Sequence, residues 1–87
     1  MNYIVKRIYY KGNSYFLLDG ETRNYLLTRL EFRRLPKTKI YSNLFEIPEM
    51  STNTIRRGYM RYIEYITKTP KILIGREIVK TNGIQIR

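Results

Sequence analysis

The sequence predicts an α+β fold: a small twisted antiparallel sheet of about five to six strands, in the order β-β-β-β-α-β-β, with one helix packed on a face. Three observations carry this expectation. Twelve Ile and nine Tyr with no Ala favour strands and remove the best helix former. Two β-rich stretches flank a Gly-Asn turn near the start of the chain. Only one segment, following Ser51, switches to a helical period. Three or four strands, a helix and a hairpin also suit an OB-like small barrel, which is the alternative architecture. Eighty-seven residues fit a single domain over 1–87, because two separate cores would each be too small to stand alone.

The first unit is a hairpin of Tyr3 to Tyr10 and Ser14 to Asp19. With Gly12-Asn13 as a two-residue II′ turn, Tyr10 faces Tyr15, Ile8 faces Leu17 and Lys6 faces Asp19. One face then carries Ile4, Lys6, Ile8, Tyr10, Tyr15 and Leu17, and the other Tyr3, Val5, Arg7, Tyr9, Phe16 and Leu18. Both faces are largely apolar, so both need cover.

Asp19-Gly20-Glu21-Thr22 reads as a turn. Beyond it Leu26, Thr28, Leu30 and Phe32 alternate with Leu27, Arg29, Glu31 and Arg33, a period of two that predicts a strand. A helix grouping Leu26, Leu27 and Leu30 competes, but it would turn Phe32 away from that face. Arg33 to Lys39 is a basic loop interrupted by Pro36, and Ile40 to Ile47 is a further strand ending at Pro48.

Ser51-Thr52-Asn53-Thr54 offers N-caps, and Ile55, Tyr59, Tyr62, Ile63 and Ile66 then form one helical stripe. Gly58 weakens a helix interior by about 1 kcal/mol against Ala, which points to a close approach there. Pro70 stops the helix. Lys71 to Val79 is a strand, and Asn82-Gly83 is a I′ turn that pairs Lys80 with Gln85.

The charge narrows the function. Seventeen Lys and Arg against seven Asp and Glu give a formal charge of +10. That excess repels itself and is rationalised by a polyanionic partner, of which nucleic acid is the commonest. No His, no Cys and a single Asp exclude His-dependent triads, thiol catalysis and imidazole or thiolate metal sites, so no enzyme and no cofactor are expected. Glu46 and Glu49 are closely spaced carboxylates, and a pair flanking Pro48 is poor ligation for a hard cation. A Tyr, Glu and Arg constellation for general acid-base cleavage of RNA is the remaining catalytic reading.

The candidate contacts form two groups. Arg33, Arg34, Lys37 and Lys39 lie in the basic loop, and Arg56, Arg57 and Arg61 lie outside the helix stripe. Arg suits bidentate phosphate contact, and Tyr41, like Tyr9, Tyr10 and Tyr25, is placed to stack on unpaired bases. The plainer reading of the helix arginines is the solvated back of an amphipathic helix.

The functional expectation is thus a non-enzymatic protein binding DNA or RNA mainly through the phosphate backbone. The alternative is a small inhibitor or adaptor of viral or mobile-element type, docking its basic face on an acidic host protein. Homodimerisation is compatible with both. Heavy Ile, Tyr, Lys and Arg usage fits an A/T-rich phage or viral coding sequence, and codon drift explains it equally well. The absence of Cys, of a signal-peptide apolar region and of any apolar run near 20 residues leads to an intracellular, cytoplasmic expectation with no membrane partner.

Overall fold

The computed structural model describes residues 1–68 and the backbone of two further strands, 71–74 and 77–80. The chain forms β1 (Asn2–Tyr10), β2 (Asn13–Asp19), β3 (Asn24–Thr28), a short helix α1 (Arg29–Arg34), β4 (Thr38–Tyr41), β5 (Leu44–Glu46), a long helix α2 (Thr52–Lys68), β6 (Lys71–Ile74) and β7 (Glu77–Lys80). The first five strands make one antiparallel sheet in the order β3-β2-β1-β5-β4. The α+β class therefore holds, with α2 packed on the sheet. The OB-like barrel does not: β3 and β4 are two edges of an open sheet.

The first hairpin keeps its predicted faces but not its predicted turn. Lys11 and Gly12 are the central residues, with φ of 54° and 78°, so the turn is of the I′ kind, whose twist matches the flanking strands. Ile8 lies opposite Tyr15 and Arg7 opposite Phe16. The partners move by two positions (Ile8 was expected opposite Leu17), an even shift that leaves every side chain on its expected face. Contacts outside the hairpin accompany this register. In this register the Lys11 ammonium reaches Glu64 of α2 at 2.9 Å, and the Tyr10 ring stands edge-on to Tyr65 at 4.9 Å.

The strand expected over Leu26 to Arg33 ends at Thr28, where α1 begins. Thr28 and Glu31 form a capping box: the Glu31 N–H donates to Thr28 Oγ1 at 3.1 Å, and the Thr28 N–H donates to Glu31 Oε1 at 2.9 Å. Phe32 then turns towards the sheet and stacks on Phe16 at 4.3 Å, while Leu30 is exposed. Two other single-strand expectations become hairpins. Ile40–Ile47 divides at Ser42-Asn43 into β4 and β5, and Lys71–Val79 divides into β6 and β7, with Lys71 opposite Lys80. The Asn82-Gly83 turn lies outside the described residues.

Helix α2 starts where the caps predicted it, with the Ser51 hydroxyl accepting from the Thr54 N–H at 3.1 Å. Its buried face is Gly58, Tyr62 and Tyr65, flanked by Ile55, Tyr59 and Ile66. Ile63, assigned to the stripe from sequence, is exposed, and Tyr65 takes its place. The helix lies along edge strand β3, its principal neighbour. Leu26 and Leu27 point to opposite faces of that strand, yet both are 0% exposed. Tyr62 and Tyr65 belong to the apolar cluster around Leu26, whereas Ile55 and Tyr59 pack on the cluster around Leu27. Gly58 makes this possible, because a Cβ there would sit 2.7 Å from Leu27 Cδ2 and 3.2 Å from Tyr25 Cβ. Fully burying each such Leu contributes about 1.5–3 kcal/mol.

Covering β3 also closes that edge of the sheet. Arg61 donates to the Leu26 carbonyl at 2.7 Å, and Asn24 donates to the Tyr62 hydroxyl at 3.0 Å. At the opposite edge, β4 is exposed throughout and its pairing shifts register between Lys39 and Tyr41, a twist and a charge that discourage edge-to-edge pairing.

Candidate nucleic-acid interface

The structure sorts the thirteen cations of residues 1–68 into those that hold the fold and those that do not. Glu31 takes Arg61 at 2.8 Å and Arg57 at 3.4 Å. Glu64 takes Lys11 at 2.9 Å and Lys68 at 3.7 Å. These two acids account for most of the charge on α2. Burial raises the Glu31 pKa, but the Arg61 hydrogen bond, the Thr28 N–H and Arg57 outweigh it and hold the carboxyl below its ordinary value. Arg61 is thus the half-buried partner of a carboxylate, and Arg57 leans on the same group.

Lys37 is also occupied. Its ammonium donates to the carbonyls of Phe32 at 2.7 Å, Leu35 at 3.0 Å and Arg33 at 3.3 Å, using all three hydrogens to close the C-terminus of α1. It lies 4.6 Å over the Phe32 ring, and burial pushes its pKa down. Lys37 supplies positive charge but no free donor.

Three of the remaining cations gather on the Phe16 face of the sheet. Phe16 of β2 and Phe32 of α1 stack with their planes 22° apart. The Arg7 guanidinium of β1 lies 5.2 Å from the centre of the Phe16 ring, and the Lys37 ammonium lies over Phe32. Arg29 and Arg33, one helical turn apart on α1, complete a cleft of about 230 Å³ whose lining is Arg7, Phe16, Arg29, Phe32, Arg33 and Lys37. No carboxylate among the described residues lines it. Among the described residues Arg7, Arg29 and Arg33 have no ion-pair partner.

The other expected contacts are dispersed. Arg34 lies in a different groove, of about 550 Å³, that it shares with Arg57 and also with Glu31 and Glu49. Lys39 and Tyr41 sit on edge strand β4, with Tyr41 67% exposed. Arg56 is exposed on α2 and donates to Asn53 at 2.9 Å. Of the other Tyr proposed for stacking, Tyr25 is in the core against Leu18, and the Tyr10 hydroxyl is buried; Tyr9 stands 74% exposed.

Sequence reading missed Arg7 and Arg29. The signals existed: Arg7 shares a strand face with Phe16 and Tyr9, and the Thr28-x-x-Glu31 capping box would have placed Arg29 and Arg33 on one side of a helix. Among the described residues no three His, Cys, Asp or Glu side chains come together, and no helix is long and apolar enough to cross a membrane. Comparison with protein-family models, curated proteins and solved structures returns no match to this chain.

Proposed function

We propose that this chain is a non-enzymatic protein that binds nucleic acid, mainly through the phosphate backbone, at the cleft between β1 and α1. One observation carries the reading: Arg7, Arg29 and Arg33 line one cleft with the stacked Phe16 and Phe32 rings, with no acid among its described lining residues. Each guanidinium presents a planar fork of donors suited to phosphate oxygens. Placing three unpaired arginines together raises the folded state's self-repulsion, and a bound polyanion relieves it. Lys37, held on backbone carbonyls, adds field without contact. Arg34, Lys39 and Arg56 are exposed outside the cleft and extend the positive surface.

The test is Arg29→Ala with Arg33→Ala. Affinity should fall across unrelated sequences, and the slope of log K against log salt should flatten by about 1.4–1.8, the loss of two phosphate contacts. Arg34→Ala with Arg56→Ala should weaken binding less, through the field alone. Unchanged affinity and slope in the Arg29/Arg33 variant would refute the cleft. A complex with an acidic protein that survives nuclease treatment, from a chain that binds no nucleic acid when pure, would replace the reading altogether.

A further inference from the structure

Resting on that reading, we infer that Tyr9 is a base-stacking platform and that the preferred ligand is an unpaired strand rather than a duplex. Tyr9 is the most exposed large apolar side chain of the described residues, at 74%. It makes no ring contact among them, while most of the other tyrosines are engaged in aromatic pairs. Folding gains little from a phenol ring left so far in water.

Its position is what singles it out. Tyr9 and Arg7 are two residues apart on β1, so they share the Phe16 face at a spacing of roughly 7 Å. Tyr9 also shares a cleft of about 430 Å³ with Arg29, and Arg29 in turn lines the cleft of Arg7 and Arg33. Arg29 thus stands between an open aromatic ring and the phosphate-binding group. A nucleotide whose phosphate meets Arg29 has its base within reach of the Tyr9 ring, and any base offers a π-face, so the contact is sequence-tolerant. In a duplex those faces are already stacked on their neighbours, and a ring on a strand face cannot reach them.

The experiment uses the full chain and two labelled probes, an oligothymidylate and a duplex of equal length, followed by fluorescence anisotropy over a salt series. Tyr9→Ala should weaken oligothymidylate binding roughly 5- to 150-fold with the salt slope unchanged, and Tyr9→Phe should keep wild-type affinity. Duplex binding should be the weaker of the two and indifferent to either variant. If Tyr9→Ala binds the single strand as the parent does while the Arg29/Arg33 variant fails, the stacking inference is overturned and the phosphate cleft stands. Equal weakening on both probes also overturns it. A parent that binds neither probe overturns both proposals, and circular dichroism of each variant separates these outcomes from misfolding.

Discussion

Arg61 grips Glu31 through both guanidinium arms, at 2.8 and 3.1 Å, while one of those nitrogens also holds the Leu26 carbonyl at 2.7 Å. One α2 side chain thereby ties together α2, the first turn of α1 and the edge of β3. It satisfies an edge carbonyl that would otherwise face the underside of a helix without a donor.

Removing either partner should therefore be costly. Glu31→Ala loses the capping box and leaves the Arg61 guanidinium half-buried without its carboxylate, for a loss of about 2–3 kcal/mol. Arg61→Ala should cost a similar amount, and the double variant should cost less than the sum. Urea unfolding of the three variants, arranged as a double-mutant cycle, checks this.

The same pair makes stability depend on acid. The folded Glu31 pKa is depressed, so its contribution is fully present above the unfolded value and is lost as pH falls through the folded pKa. Stability measured between about pH 6 and pH 3 should decline in the parent. The decline should be shallower in Glu31→Gln, and an equal slope in both would remove Glu31 as its source.

Gly58→Ala should destabilise despite the higher helix propensity of Ala. The propensity gain is about 1 kcal/mol. Against it, the new methyl would lie 2.7 Å from Leu27 Cδ2, inside a fully buried site, and 3.2 Å from Tyr25 Cβ. Overpacking of this kind costs about 1–3 kcal/mol. A lowered midpoint in thermal or urea unfolding is the expected result.

Lys37→Met should separate stability from binding. It removes the donors to three α1 carbonyls. It should lower stability by about 1 kcal/mol while reducing nucleic-acid affinity less than Arg33→Ala does. Parallel unfolding and anisotropy measurements decide it.

Lys11→Asn should raise the melting temperature. Lys11 holds a φ of 54° in the first position of a I′ turn before Gly12, where Asn-Gly is the favoured pair. The salt bridge it forfeits to Glu64 is exposed on both sides and weakly stabilising.

Much of the fold was readable because its signals are local. The alternation through Tyr3–Tyr10 and Ser14–Asp19 assigned every side chain of the first hairpin to its observed face, and the Ser51–Thr54 run of possible caps marked the start of α2. The misreadings share a cause. Leu26-Thr28-Leu30-Phe32 satisfies a strand period, but the Thr28–Glu31 capping box and the stacking of Phe32 on Phe16 favour a helix, and only the second of these needs the folded sheet. The Arg33–Lys39 run looked like one basic loop because it is contiguous. In three dimensions Arg33 and Arg34 line different clefts, and Lys37 turns inward.

The amino-acid sequence by itself determined the α+β class, the hairpin faces, the helix start and the excess of positive charge, since each depends on neighbouring residues or on composition alone. Tertiary structure decided which cations are spent on the fold and which stay open. Ion pairing is a matter of distance between elements remote in the chain: Glu31 meets Arg61 thirty positions away, whereas Arg7, Arg29 and Arg33 line one cleft with no acid among its described lining residues.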